Sequence, residues 1–303
     1  MVVDLIGIPF SSTGRGGGIA SAIGALRECD LTDRLARAVE LRDSGDLELV
    51  NQTPDRVPGR LRNESGVVSL LEKTRAAVAA ALSRPSLPLL VGGDCPVILG
   101  ALAALAEHAG PPGLVMLDGH EDAYPPPSSP TGEASDSELG IALGLFKEVL
   151  PVQITRLTPM ISPQRVALVG PRDRRELAGY GVPSLADRLW LRSDEDVRRV
   201  GAKRLAKQAS AEVGRGSRRF WLHLDLDVLC TEDFPAADYR QEGGLRWNEL
   251  ELAACTILSD RGCAGCSVVI YNPDLDPQRS SAERIVAFLI TVLGGAQRGE
   301  GGR

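Results

Sequence analysis

Short apolar runs separated by helix-length segments decide what this chain can fold into. Residues 87–91 read LPLLV, 113–117 read GLVML and 268–270 read VVI, each followed by a polar or turn-forming stretch. Runs without polar alternation suit strands buried on both faces, and strands that alternate with helices pair in parallel beneath a helical cover on each side. Strands are expected over Val2 to Ile8, Pro88 to Val91, Leu114 to Leu117, Arg165 to Gly170, Phe220 to Leu229 and Cys266 to Tyr271, with an irregular one around Leu47 to Asn51. Helical periodicity covers Ala20 to Glu40, Leu71 to Leu82, Pro96 to His108, Glu138 to Leu150, Asp194 to Val213, Arg246 to Leu258 and Ser281 to Leu293. No composition break or repeat divides the chain, so residues 1–293 are expected to form one domain. Residues 294–303, rich in Gly and charge, are expected to be a mobile tail.

In open parallel sheets ligands bind beyond the carboxyl ends of the strands, and two of those ends are chemically unusual here. Leu114 to Leu117 runs into Asp118, His120 and Asp122, and Phe220 to Leu229 carries His223, Asp225 and Asp227. Residues two apart on an extended segment point the same way, so each trio could converge. Acids side by side on an apolar strand repel one another and lose solvation, and a bound cation removes both costs. Carboxylate oxygens mixed with imidazole suit Mn²⁺, Fe²⁺, Ni²⁺ or Zn²⁺. A strand ending in a polar turn would explain one such pattern, but two make a metal centre the better reading.

Other function classes recede. With 43% hydrophobic and 24% charged residues, the 303-residue chain has the composition of a globular protein, and its formal charge of −6 argues against a nucleic-acid surface. No apolar run reaches the roughly 18–20 residues that cross a bilayer. Met1-Val-Val-Asp-Leu-Ile lacks the pattern of a secretion signal, so a cytoplasmic location is expected. The six cysteines (29, 95, 230, 255, 263, 266) do not suggest a disulfide framework, and the lone pair Cys263-Ala-Gly-Cys266 reads as structural. The glycine-rich loop 11–18 has neither the spacing nor the Lys of a phosphate-binding P-loop.

From Ile6-Gly-Ile-Pro-Phe10 to Asn272-Pro273 the chain resembles the arginase family, the ureohydrolases. The family's G-G-D-H-S reads Gly92-Gly-Asp-Cys-Pro96 here, and its D-A-H-x-D reads Asp118-Gly-His-Glu-Asp122. Its S-x-D-x-D-x-x-D-P reads His223-Leu-Asp-Leu-Asp-Val-Leu-Cys-Thr231, followed by Phe234-Pro235 and Gly243-Gly-Leu245. The resemblance implies a three-layer α/β/α fold with a mainly parallel sheet of about eight strands. It implies two Mn²⁺ ions bridged by a hydroxide that attacks a guanidinium carbon. Asp118, His120, Asp122, Asp225 and Asp227 match its metal-ligand positions, and Asp227 and His120 are the residues assigned to catalysis. A small-molecule substrate and a homo-oligomer, trimer or hexamer, are implied as well.

The departures narrow the expectation. The sixth ligand position is Cys95. A thiolate there favours Zn²⁺ or Fe²⁺ over Mn²⁺; a neutral thiol would leave that ion weakly held or absent, and Cys95 could also be merely a small buried residue. His223 stands where the family has Ser, and is expected to hydrogen-bond a ligand carboxylate from behind rather than replace a ligand. The family's guanidinium-binding Glu is Ile270, and loss of a charge-assisted hydrogen bond costs about 1.5–3 kcal/mol. Ordinary arginase or agmatinase activity is therefore not expected. Substrate contacts fall on Tyr124, Glu133 and Ser135, where Glu133 could receive a cationic head, relay protons or simply start a helix. The expected function is a metal-dependent hydrolase that opens a non-peptide C–N bond of a modified guanidino, amidino or amide compound through a metal-bound hydroxide. The alternative is a non-catalytic member with a sensing or assembly role. A histone-deacetylase-like deacylase ranks lower, because the tandem His pair of that family is missing.

Overall fold

A computed structural model describes residues 2–217 and 219–300, with side chains up to residue 296. The apolar runs become six of eight strands: β1 (Val2–Gly7), β2 (Glu40–Asp46), β3 (Ser86–Val91), β4 (Gly113–Leu117), β5 (Val166–Gly170), β6 (Trp190–Ser193), β7 (Phe220–Asp225) and β8 (Cys263–Val269), with β2 and β6 of different character. They form one sheet of eight strands in the order β2-β1-β3-β8-β7-β4-β5-β6, every neighbour parallel. The sheet lies between layers of helices, as the α/β/α expectation requires. Helices Glu64–Leu82 and Val97–Ala109 pack on each other, while Ala202–Gly214, Trp247–Leu258 and Ser280–Glu300 form a second packed set. Among the described residues no helix is long and apolar enough to cross a membrane.

Burial follows position in the sheet. β4, β5, β7 and β8 are buried along their whole length, whereas the edge strand β2 is largely exposed. Charges on an edge strand hinder further pairing, and Glu40, Arg42, Asp43 and Asp46 supply them. This polar strand replaces the one expected around Leu47 to Asn51. The helix expected over Ala20 to Glu40 is two pieces, Ala22–Glu28 and Leu31–Ala36, because Asp30 takes φ 58°. Gly201 at φ 92° likewise splits the expected helix Asp194 to Val213 into Asp194–Val200 and Ala202–Gly214. The helix beginning at Glu138 ends at Ala142, short of Leu150, and Gly144 turns the chain at φ 77°. β6 and the helix Arg174–Gly179 were not expected. Of the tail, 294–300 continue the last helix and 301–303 lie outside the described residues.

The turn leaving β3 fixes one wall of the site. Gly92 and Gly93 both hold left-handed backbone, at φ 88° and 69°. A Cβ on Gly93 would lie 2.5 Å from the Ile8 carbonyl oxygen, so backbone must shift to admit it. Gly93→Ala is expected to destabilise the fold by about 2 kcal/mol through strain and this clash. Thermal denaturation checks it, and an unchanged midpoint would refute the argument.

Candidate metal centre

β4 ends at Leu117 and β7 at Asp225, so most of the acids lie in turns rather than on strand faces. The Asp118 amide still donates to the Val169 carbonyl at 3.0 Å, after which its carboxylate takes over the next free amide, accepting from His120 N at 2.8 Å. Asp225 does the same, accepting from Asp227 N at 2.7 Å and opening the single 3₁₀ turn Leu226–Val228. Gly119 N then donates to Asp227 Oδ1 at 3.1 Å, tying the two turns together. Convergence by strand alternation is therefore corrected. Short carboxylate side chains compete with the sheet ladder for backbone donors, which ends the strand and folds the acids inward.

The result is one dense cluster. Asp118 is fully buried, and Asp225 and Asp227 are nearly so. Three groups of potential ligands overlap: Asp118 with His120 and Asp122, Asp118 with Asp225 and Asp227, and Asp118 with Cys95 and His223. Within each, the donor atoms lie no more than 4.8 Å apart. Asp118 belongs to all three, and its Oδ2 is buried with no hydrogen-bond partner among the described residues. His120 Nδ1 sits 3.0 Å from Asp227 Oδ2, and the Cys95 thiol donates to Asp225 Oδ2 at 2.7 Å. His223 does not behave as expected: its Nδ1 lies 2.7 Å from Ser267 Oγ, not on a ligand carboxylate, and its Nε2 has no hydrogen-bond partner among the described residues.

Electrostatics make the cluster's need plain. Burial, reinforced by Asp227, pushes Asp118 up to about 8. Burial raises Asp122, Asp225 and Glu138 well above the usual carboxylate range, and neighbouring acids add to it. Burial opposes charge on His120, but Asp227 and Asp118 outweigh it and carry the imidazole to about 10. Asp227 alone stays below its ordinary value: burial works against it, and His120 and Arg172 overcome that. Burial and Asp225 lift the Cys95 thiol well above its usual range, and burial drops His223 to about 3. So many dry acids ionise together only if positive charge joins them. Hard oxygens, an imidazole and unpartnered buried donor atoms suit a divalent cation.

Glu138 escaped the sequence reading. It is fully buried beside Asp122, and among the described residues no ordinary donor reaches either carboxylate oxygen. An acid opening a helix is ordinary, and only the apolar residues after it, Leu139 and Ile141 among them, hinted at burial. Arg172, also unforeseen, braces the 3₁₀ turn by donating Nη2 to the Asp227 carbonyl at 2.7 Å.

The cluster opens into a cleft of about 140 Å³. Tyr124, Glu133, Ser135 and Ile270 all line it, together with Cys95, His120, Asp122, Asp225 and Asp227. Asp136, Glu176, Tyr239, Arg240 and Gln241 are among the other lining residues and were not foreseen. Burial, with Asp94 nearby, pushes Glu133 up to about 7. Ile270 follows β8 at φ 62°, a strained setting for a β-branched residue, and its amide donates to the Gly93 carbonyl at 3.0 Å. Cys263 and Cys266 are free and buried within β8, away from the cleft lining.

A parallel α/β sheet with acids and imidazole gathered beyond the ends of β4 and β7 defines a class of metal-site proteins. Within it, the Arginase family model matches residues 2–294, and the chain belongs to that family. An arginase from Bacillus caldovelox is 28% identical over 295 residues, spanning 96% of this chain and 98% of that relative. The solved structure of arginase from Bacillus caldovelox aligns with a TM-score of 0.82 at 27% identity, over 96% of this chain and 98% of that one. Formimidoylglutamase from Bacillus subtilis shares the fold at a TM-score of 0.71 and 20% identity, over 99% of this chain and 87% of that one.

Proposed function

We propose that this protein is a metal-dependent hydrolase that opens a non-peptide C–N bond in a guanidino, amidino or amide compound. The observation that carries the reading is the trio of overlapping donor groups around Asp118, set at the floor of a cleft sized for a small molecule. Asp118, His120, Asp122, Asp225 and Asp227 would hold two divalent cations, with Mn²⁺ the first choice for so many carboxylates and Zn²⁺, Fe²⁺ or Ni²⁺ as alternatives. Such cations lower the pKa of a coordinated water and polarise the carbon it attacks. Asp227, which accepts from Gly119 N and pairs with His120, is the residue we assign to receive the proton released, and His120 would orient its carboxylate from the more exposed side.

The cleft also argues for what binds. Ile270 offers no charge-assisted hydrogen bond to a guanidinium, so ordinary arginine hydrolysis is not the preferred reaction. Glu133, on the wall with Tyr124 and Ser135, supplies a carboxylate that ionises near neutral pH and can receive a cationic or donor-rich head. Purified protein reconstituted with Mn²⁺, Zn²⁺, Fe²⁺ or Ni²⁺ is expected to release urea, ammonia or an amine from a member of a broad guanidino, amidino and amide panel. Silence across that panel with metal bound would refute the hydrolase and favour a ligand-sensing role.

A further inference from the structure

Cys95 after β3, Asp118 after β4 and His223 within β7 bring a sulfur, a carboxylate oxygen and an imidazole nitrogen within 4.8 Å of one another. We infer that His223 is itself a metal ligand, forming with Cys95 and Asp118 a soft ion position that takes Zn²⁺, Fe²⁺ or Co²⁺ in preference to Mn²⁺. The inference rests on reading the cluster as a metal centre and goes beyond it by assigning a donor set and a selectivity.

The ring of His223 is built as a ligand's would be. It is fully buried, and its Nδ1 meets Ser267 Oγ at 2.7 Å. Ser267 is held in turn by Trp221 Nε1, which donates to the same oxygen at 3.0 Å. A hydroxyl oxygen has two lone pairs, and in the tautomer in which Ser267 Oγ accepts both N–H groups the Nε2 lone pair of His223 is bare. That atom has no hydrogen-bond partner among the described residues. Leaving a buried polar atom unpaired costs about 1–3 kcal/mol, and ligating histidines characteristically anchor their other nitrogen in this way.

Cys95 completes the argument. Its side chain is buried, and its Sγ lies 2.7 Å from Asp225 Oδ2, so sulfur and carboxylate already crowd one point. Ligand bonds run at about 2.0–2.3 Å for nitrogen, oxygen and sulfur on zinc, so donors up to 4.8 Å apart close on one ion after small side-chain adjustments. Binding replaces the S–H bond with a metal–sulfur bond and releases one proton to solvent. Thiolate and imidazole select the softer cations, whereas the group of Asp118, His120 and Asp122 has oxygen donors and one imidazole. The two ion positions are therefore unequal.

Co²⁺ titration of the full-length protein, followed by absorption and by metal content after dialysis, tests this. The wild type is expected to bind two Co²⁺ and to show an intense near-ultraviolet thiolate-to-cobalt band. Cys95→Ser should lose the band and one ion. His223→Asn should weaken the affinity of that position by more than about 100-fold, beyond the 10–100-fold effect of a group that only supports a ligand. Dialysis against equimolar Zn²⁺ and Mn²⁺ should leave one Zn²⁺ on the wild type. Two bound Co²⁺ without the band, or His223→Asn with unchanged affinity at both positions, would overturn the inference while leaving the metal centre standing. No Co²⁺ bound at all would overturn both. The wild-type band needs no variant, so misfolding of either mutant leaves the inference open to refutation.

Discussion

Asp118→Asn is expected to strip the protein of metal and to lower turnover by three orders of magnitude or more, about 4 kcal/mol of transition-state stabilisation. Asp118 is the residue common to all three donor groups, and its Oδ2 is buried with no hydrogen-bond partner among the described residues. Asparagine keeps the shape and can still accept from His120 N, so the turn after β4 is preserved. What is lost is the negative charge at the one point every cation position shares. Elemental analysis and turnover of the best substrate from the panel check the prediction. Because burial pushes Asp118 up to about 8, the metal-free wild type must take up a proton there to fold at pH 7, a cost that asparagine does not carry, so the variant's metal-free melting temperature should lie above the wild type's. A variant that retained its full metal content would refute the shared-ligand role.

The second large effect is a pH dependence that metal abolishes. Between pH 6.5 and 8 the chelated protein is expected to lose stability as pH rises. In that window a folded Asp118 keeps its proton until about 8, whereas an unfolded aspartate has released it near 4. Asp122, Asp225 and Glu138, raised well above the usual carboxylate range by burial, shift in the same direction. His120 stays protonated to about 10 in the fold but loses its proton near 6.5 when unfolded. The folded state thus binds more protons than the unfolded state, so raising the pH favours unfolding, by about 1.4 kcal/mol per pH unit for each such proton. His223, held near 3, works in the opposite sense only below 6.5, which sets the lower limit of the window. Asp227, held low, contributes stability above the ordinary carboxylate range and loses it only in acid. The melting temperature of the chelated protein should fall by roughly 5 °C or more across the window, and bound cations, by displacing these protons, should flatten the slope. A flat profile after complete chelation would mean that the acids are not crowded in a dry site.

The sequence made the inner sheet and most of the cluster readable for one reason. Asp118, Asp122, Asp225 and Asp227 are acids set against unbroken apolar runs, and buried charge has few explanations. The edge strands were hidden because they obey the opposite rule: β2 is polar and exposed, and β6 is only half-buried. Helix breaks at Asp30 and Gly201 depend on single backbone angles that periodicity does not register. Glu138 looked like a routine helix-start acid until the fold buried it. The setting of His223 was beyond local reading, since it depends on β7 pairing with β8 in the register that places His223 opposite Ser267.

The cluster's donors are rooted in three strands, β3, β7 and β4, and β8 fills the gap between the first two. Glu133, Tyr124 and Ser135 hang instead on the long connection that follows β4. Residues that would hold cations and residues that would contact substrate thus stem from different segments and meet in one cleft. Substitution at Glu133 or Ser135 would therefore change a wall of the cleft without removing a proposed ligand. Ile270 is the exception, since it is wedged into the frame itself, and any replacement there would alter the floor under every compound the cleft admits.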